Sequence, residues 1–196
     1  MDSKKGRFTN MRHYKLIALF GPSASGKDTL AKELLKRSDV SEIVSCTTRP
    51  MRDYEKDGVD YHFMNEEEFG KKVLDGTMLE ATTFRGWFYG TPLDSLKEDK
   101  INVGVFNKQG IECLLDDNRL EVTPIYIACE DKIRLLRSLE REINPDCEEI
   151  CRRFMTDKQD FEVIDFDYLT YYNGAKVNAN CFEPFLIDHG VLSKIG

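Results

Sequence analysis

Unbroken apolar runs alternate with stretches of helical periodicity along most of the chain. Residues 14–20, 101–106 and 122–128 are apolar at nearly every position, the pattern of strands buried on both faces. Between them, residues 27–37 place Leu30, Ala31, Leu34 and Leu35 on one helical stripe, and residues 108–115 and 131–142 predict two further helices. Asn144-Pro145-Asp146 interrupts the chain and opens a helix that runs to about Phe161. Residues 168–172 form a last strand. Beyond Gly174 the pattern is weak, and Pro184 and Gly190 limit any helix there. Strands alternating with helices predict an α/β fold with a parallel sheet flanked by helices.

Residues 47–92 depart from that rhythm. They are rich in aromatic and charged residues and in short strands, and read as an insertion on a parallel core formed by residues 12–46 and 93–196. A short strand is expected over 42–46. A helix over 65–75 has Asn65 as its cap and Glu68 three places on, the arrangement of a capping box. Strands follow over 76–84 and 87–89, and Thr91-Pro92 is expected to start a short helix. No repeat or low-complexity linker divides the 196 residues, so they read as one domain.

The first chemistry-bearing motif lies where the first strand meets the first helix. Residues 21–29 read Gly-Pro-Ser-Ala-Ser-Gly-Lys-Asp-Thr. A glycine-bounded loop between strand and helix turns backbone N–H groups toward an anion, and Lys27 adds a point charge for the outer phosphates. Gly21, Pro22, Ser23, Ala24, Ser25, Gly26, Lys27, Asp28 and Thr29 are therefore expected to bind a nucleoside triphosphate. Such loops end Gly-Lys-Ser or Gly-Lys-Thr, because that hydroxyl ligates Mg²⁺; here Asp28 takes the place and Thr29 comes one position late.

Composition narrows the partners. The formal net charge of −7 argues against a nucleic-acid binder, while leaving room for a local basic pocket on an acidic protein. No apolar run approaches a bilayer span, and residues 1–11 lack the apolar segment of a secretory signal, so no membrane association is expected and that end should fray. The six cysteines form no Cys-x-x-Cys pair and predict reduced, buried thiols in a cytoplasmic protein.

A second constellation points to the other substrate. Residues 44–52 read Val-Ser-Cys-Thr-Thr-Arg-Pro-Met-Arg, followed by Asp-Gly-Val-Asp-Tyr-His-Phe (57–63), Met-Leu-Glu (78–80) and Phe-Tyr-Gly-Thr (88–91). In their order and spacing these segments resemble guanylate kinases over roughly residues 15–173. The resemblance implies a P-loop kinase fold with an inserted monophosphate-binding region (47–92) and a helical lid near 137–153. It implies transfer of phosphate from ATP, with Mg²⁺, to GMP or dGMP. It assigns Arg49, Arg52, Tyr61 and Tyr89 to the substrate phosphate and Ser45, Glu80 and Thr91 to guanine. It also sets Asn107 near the monophosphate, Asn173 near the adenine, and arginines of the lid over the transferred group. Taken singly, each of these residues also reads as surface charge or ordinary packing.

Two departures qualify the match. In the lid, Arg153 coincides with a family arginine, but the two other family positions hold Ser138 and Glu142, each one residue beyond Arg137 and Arg141. Arg137 and Arg141 lie four apart, so one helix face can present both. In the strand 101–107, relatives carry Asp-x-Asp where this chain has Val105 and Asn107. Two carboxylates are missing near the metal and one has appeared as Asp28, so Asp28 is expected to hold Mg²⁺ in compensation. Two alternatives remain at this point: a related P-loop kinase of a deoxynucleoside monophosphate or of ribose 1,5-bisphosphate, and a non-catalytic binding module of the same fold. Oligomeric state is not legible.

Overall fold

The computed structural model describes residues 14–51, 55–84, 86–141, 143–174 and 179–194. The expected fraying of residues 1–11 lies outside the described residues. Five strands form a parallel sheet: β1 (Tyr14–Phe20), β2 (Val40–Glu42), β7 (Ile101–Val105), β8 (Leu120–Ala128) and β9 (Leu169–Tyr172). Their order is β2-β7-β1-β8-β9, with every neighbouring pair parallel. β1 sits at the centre because its residues are apolar on both sides. Ile17 and Leu19 pack on α1 (Lys27–Leu34) and the C-terminal helix α6 (Phe182–Asp188). Leu16, Ala18 and Phe20 pack on the opposite face against Ile111 and Leu114 of α3 (Lys108–Leu115). A strand enclosed this way fixes the point at which the following loop emerges.

The insertion forms a second sheet of β3 (Cys46–Thr47), β4 (His62–Phe63), β5 (Met78–Phe84) and β6 (Trp87–Pro92), in the order β4-β3-β6-β5. The helix α2 (Glu66–Leu74) covers it through Phe69, which stacks on Phe88 with ring centroids 5.5 Å apart. The capping box forms as expected: Asn65 Oδ1 accepts from Glu68 N (2.8 Å) and Glu68 Oε2 from Asn65 N (3.0 Å). The segment expected to form a lid holds two helices, α4 (Asp131–Glu140) and α5 (Cys147–Asp160), the latter capped by Asp146. Among the described residues no helix is long and apolar enough to cross a membrane.

Four expectations need correction. The segment 42–46 is not one strand: Val40–Glu42 joins the parallel sheet, and Cys46–Thr47 joins the insertion sheet. Ile43, buried in the core with its N–H on the Val103 carbonyl (3.0 Å), is the crossing point between them. Thr91-Pro92 does not start a helix. It ends β6, because cross-strand pairing with β5 continues through Pro92, and a short 3₁₀ turn over Leu93–Ser95 follows. The tail holds a helix, α6, in which Phe182 and Leu186 are fully buried. Pro184 falls in its first turn, and Gly190 follows its end at φ 73°. Buried Arg37 ties that tail to the core through Asp39, Glu183 and the Ser193 carbonyl. Finally, only Cys46 is buried; Cys113, Cys147, Cys151 and Cys181 are exposed, because each lies on the outward side of its helix or turn.

Among the described non-glycine residues, Ala24 alone has a positive φ, 58°. A left-handed alanine costs about 1 kcal/mol relative to glycine through the clash of its Cβ with the carbonyl. Ala24→Gly is therefore expected to raise the thermal midpoint by roughly 2–4 °C for a domain of this size, read from a melting curve in the absence of nucleotide.

Candidate active site

Residues 21–26 leave the C-terminal end of β1 and deliver the chain to α1. Gly26 is the cap of α1 at φ 98°, and a Cβ there would lie 2.2 Å from Asn173 Nδ2, so no larger residue fits. Asn173 Nδ2 donates to the Ser25 carbonyl at 2.7 Å and so secures the loop from the end of β9. No side chain caps α1, which leaves the first-turn N–H groups of Lys27, Asp28 and Thr29 for a ligand. These residues, with Arg137, Arg141 and Asn173, line a cavity of about 340 Å³. Lys27 Nζ folds back onto the carbonyls of Gly21 (2.8 Å) and Pro22 (2.9 Å). Desolvation lowers its pKa to about 8, partly offset by Asp28 and Asp157.

A second cleft, about 260 Å³, brings together Ser45, Tyr61, Glu80, Tyr89 and Asn107 from five separate segments. A register shift between Met78 and Glu80 bends β5 and sets Glu80 opposite Thr91. Thr91, fully buried, donates to Glu80 Oε1 at 2.7 Å and lies 3.4 Å from the Ser45 hydroxyl. Burial raises the Glu80 pKa, and the Thr91 bond acts against that rise. Tyr61 and Tyr89 meet edge to face at 6.0 Å. Burial also raises the Tyr61 pKa, with Tyr89 adding to it, Arg49 opposing and Asp28 of the loop making a smaller electrostatic contribution.

Arg49 stands over Tyr61 and Phe63, 5.7 and 5.6 Å from the ring centroids. Its guanidinium is engaged in a two-pronged bond with Glu55 (2.7 and 3.0 Å), which holds its pKa above the usual value. Arg52 lies outside the described residues. Asn107 caps α3, its Oδ1 accepting from Gly110 N at 2.7 Å, which leaves its amide nitrogen on the cleft side. Val105, at the end of β7, is exposed in the same cleft.

The lid arginines take three different positions. Arg137 reaches the carbonyls of Ala24 and Ser25 at 3.4 Å each. Arg141 borders both the loop cavity and a further cavity of about 240 Å³ between the lid helices and Ser23. Arg153 lines that second cavity while bonded to Glu149 one turn back at 2.8 Å. Of the two family lid positions that lack arginine here, Ser138 lines the same cavity and its hydroxyl bonds the Arg134 carbonyl; Glu142 lies outside the described residues.

Among the described residues no group of three or more His, Cys, Asp or Glu side chains converges on a metal-sized point. Asp28 is a single exposed carboxylate at the mouth of the loop cavity. That donor set suits Mg²⁺, which takes one or two carboxylates and completes its six oxygens with phosphates and water.

Four residues of the site escape sequence reasoning. Thr82 and Thr83 line the second cleft; Thr82 could have been found from the two-residue spacing after Glu80. Arg134 and Asp157 contact the loop residue Ser23, and nothing in their local sequence marks them.

Comparison with known proteins places the chain in a family. The guanylate kinase family model matches residues 13–179. A guanylate kinase of Clostridioides difficile is 31% identical over 183 residues, covering 87% of this chain and 86% of that protein. One from Sulfurimonas denitrificans is 33% identical over 164 residues, 79% and 78% of the two chains. A guanylate kinase of Thermotoga maritima is 50% identical over 91 residues, and there the match spans 46% of this chain and 44% of the relative's length. The crystal structure of guanylate kinase from Anaplasma phagocytophilum has the same fold, with a TM-score of 0.64 at 22% identity over 93% of this chain and 89% of that one. With the family match running from the first strand of the sheet to beyond the last, the chain belongs to the guanylate kinase family.

Proposed function

We propose that the protein transfers the γ-phosphoryl group of ATP to GMP or dGMP, giving ADP and the corresponding diphosphate. The observation that carries this reading is Glu80, held by Thr91 in a cleft shared with Ser45, Tyr61, Tyr89 and Asn107. Guanine offers an N1–H and an exocyclic amino group side by side, and one carboxylate accepts both. Adenine presents a lone pair at N1, which Glu80 repels; a desolvated mismatch of this kind discriminates by roughly 10⁴-fold. The substrate phosphate takes Arg49, Tyr61 and Tyr89, and also Arg52 by resemblance. Arg49 meets that dianion by exchanging its Glu55 partner for it, so one charge-assisted fork replaces another.

Phosphoryl transfer asks the protein for alignment, charge neutralisation and exclusion of water. The N–H groups at the start of α1 hold the ATP phosphates, and Lys27 leaves its two carbonyls to follow the transferred group. Arg137, Arg141 and Arg153 stand along the lid side of the same space, and closure of the lid and of the insertion keeps water from ATP. Mg²⁺, when bound, neutralises phosphate charge between donor and acceptor. Asp28 is the carboxylate placed to hold it, in compensation for the apolar Val105 and the amide Asn107. The four exposed thiols suit a reducing compartment, and we assign the reaction to the cytoplasm.

A coupled ADP-release assay across GMP, dGMP, AMP, UMP, TMP and ribose 1,5-bisphosphate should give turnover on the guanine nucleotides alone. Glu80→Gln should lower kcat/KM for GMP by roughly 10²-fold, the loss of two charge-assisted bonds. Comparable wild-type turnover on any other acceptor would overturn the assignment. Lys27 sets a pH limit. Above about 8 the free protein's Lys27 loses its proton and with it the charge that meets the triphosphate. ATP affinity, titrated between pH 6.5 and 9.5, should therefore be level at the acid end and weaken as pH rises through 8. Asp28→Ser should shift the Mg²⁺ concentration giving half-maximal turnover; an unchanged metal requirement would remove Asp28 from the metal site.

A further inference from the structure

Both backbone groups of one loop residue are held by a single ion pair from the lid. Asp157, on α5, accepts from the Ser23 N–H through Oδ2 (2.7 Å) and from the Ser23 hydroxyl through Oδ1 (3.3 Å). Arg134, on α4, donates from Nε to the Ser23 carbonyl (3.1 Å) and from Nη2 to Asp157 Oδ2 (2.8 Å). The pair is well enclosed: Arg134 is 6% exposed and Asp157 13%, and the guanidinium lies 4.9 Å from the centre of the Phe154 ring. A side-chain pair that brackets one peptide on both sides fixes its position and its orientation.

Ser23 is the residue whose placement the loop needs. Ala24 follows it in the left-handed conformation that turns the chain toward Gly26. Just before it, the carbonyls of Gly21 and Pro22 hold the Lys27 ammonium. The loop must release that ammonium to receive phosphates while keeping its N–H groups aligned, and Ser23 is the pivot between those two demands. We infer that Arg134 and Asp157 are positioning residues for ATP: acting through Ser23, they clamp the phosphate loop in its anion-binding shape and join it to the stem of the lid. Neither residue lines the cleft of Glu80 and Tyr61, so the effect is confined to the ATP side. Their charges act on Lys27 with opposite sign, so the clamp adds directional bonds without adding net charge beside the polyphosphate.

This inference rests on the reading that residues 21–29 take ATP. Asp157→Asn keeps the shape and removes the charge; Asp157→Glu keeps the charge and moves it by one methylene. Arg134→Gln/Asp157→Asn removes both charges and avoids leaving one of them unpaired. For each, the ATP dissociation constant, KM for ATP, KM for GMP and thermal midpoint are measured. Asp157→Asn should weaken ATP binding roughly ten-fold, the order expected when one loop residue must be ordered afresh on binding. The double variant should resemble it, Asp157→Glu should recover part of the loss, and KM for GMP should stay at the wild-type value in all three. A folded Asp157→Asn protein with wild-type ATP affinity, or equal losses for ATP and GMP, would overturn the clamp. If Asp157→Asn does not fold, the same two outcomes are read from Asp157→Glu. Wild-type protein that binds no ATP would instead overturn the functional reading.

Discussion

On the proposed reading, two substrates that each carry several negative charges have to meet on a protein whose own net charge is −7. Bulk charge works against that meeting, so the fold has to concentrate positive potential locally and fix it in place. It does so first with the backbone. Burying β1 on both faces holds the loop at the sheet edge, and Gly26 packed on Asn173 aims the start of α1 into the cavity. Side chains then complete the field. Arg49 stands beside the tyrosines of the second cleft, and Arg137 and Arg141 line the loop cavity; we propose that the first serves the acceptor and the other two the donor. In the free protein Arg49 is already paired with Glu55 and Arg137 with loop carbonyls. On the proposed reading, phosphates reaching these two arginines replace existing partners and do not meet bare charge.

The same constraint explains the half-buried carboxylates. Glu80 is desolvated enough for its pKa to rise, yet the Thr91 hydroxyl keeps one of its oxygens bonded and oriented. Asp157 stands near Lys27 but is neutralised by Arg134. Both of these acids have a partner that limits their repulsion of phosphate, whereas Asp28 stands exposed at the mouth of the loop cavity.

How much of this was legible in the sequence follows from how local each signal is. The buried strands, α1 and the capping box at Asn65 are written in neighbouring residues, and they form where expected. The phosphate loop needs only nine consecutive residues, and Ser45, Glu80 and Tyr89, singled out by a long and specific family spacing, line one cleft. The strand expected over 42–46 was misread because Ile43 is apolar in either setting, and only tertiary packing decides where one sheet yields to the next. The helix α6 was missed because its two buried residues, Phe182 and Leu186, span a single turn, too little to establish a period. Arg134 and Asp157 were invisible for a different reason. Charged residues on amphipathic helices usually face solvent, and only the fold brings these two, 23 positions apart, against Ser23.

The acceptor cleft is not equally free along its length. Its base-reading end is anchored: β5, which carries Glu80, packs on α3 of the parallel core, and a Cβ at Gly110 of α3 would lie 3.5 Å from Glu80 Oε2. Its phosphate-reading end, with Arg49 and Tyr61, belongs to the far side of the insertion sheet, on β3, β4 and the segment between them. On the proposed reading, a swing of the insertion would turn about this anchored end and sweep the Arg49 end through the larger arc. The nucleobase would then be the axle, held at the least mobile part of the cleft.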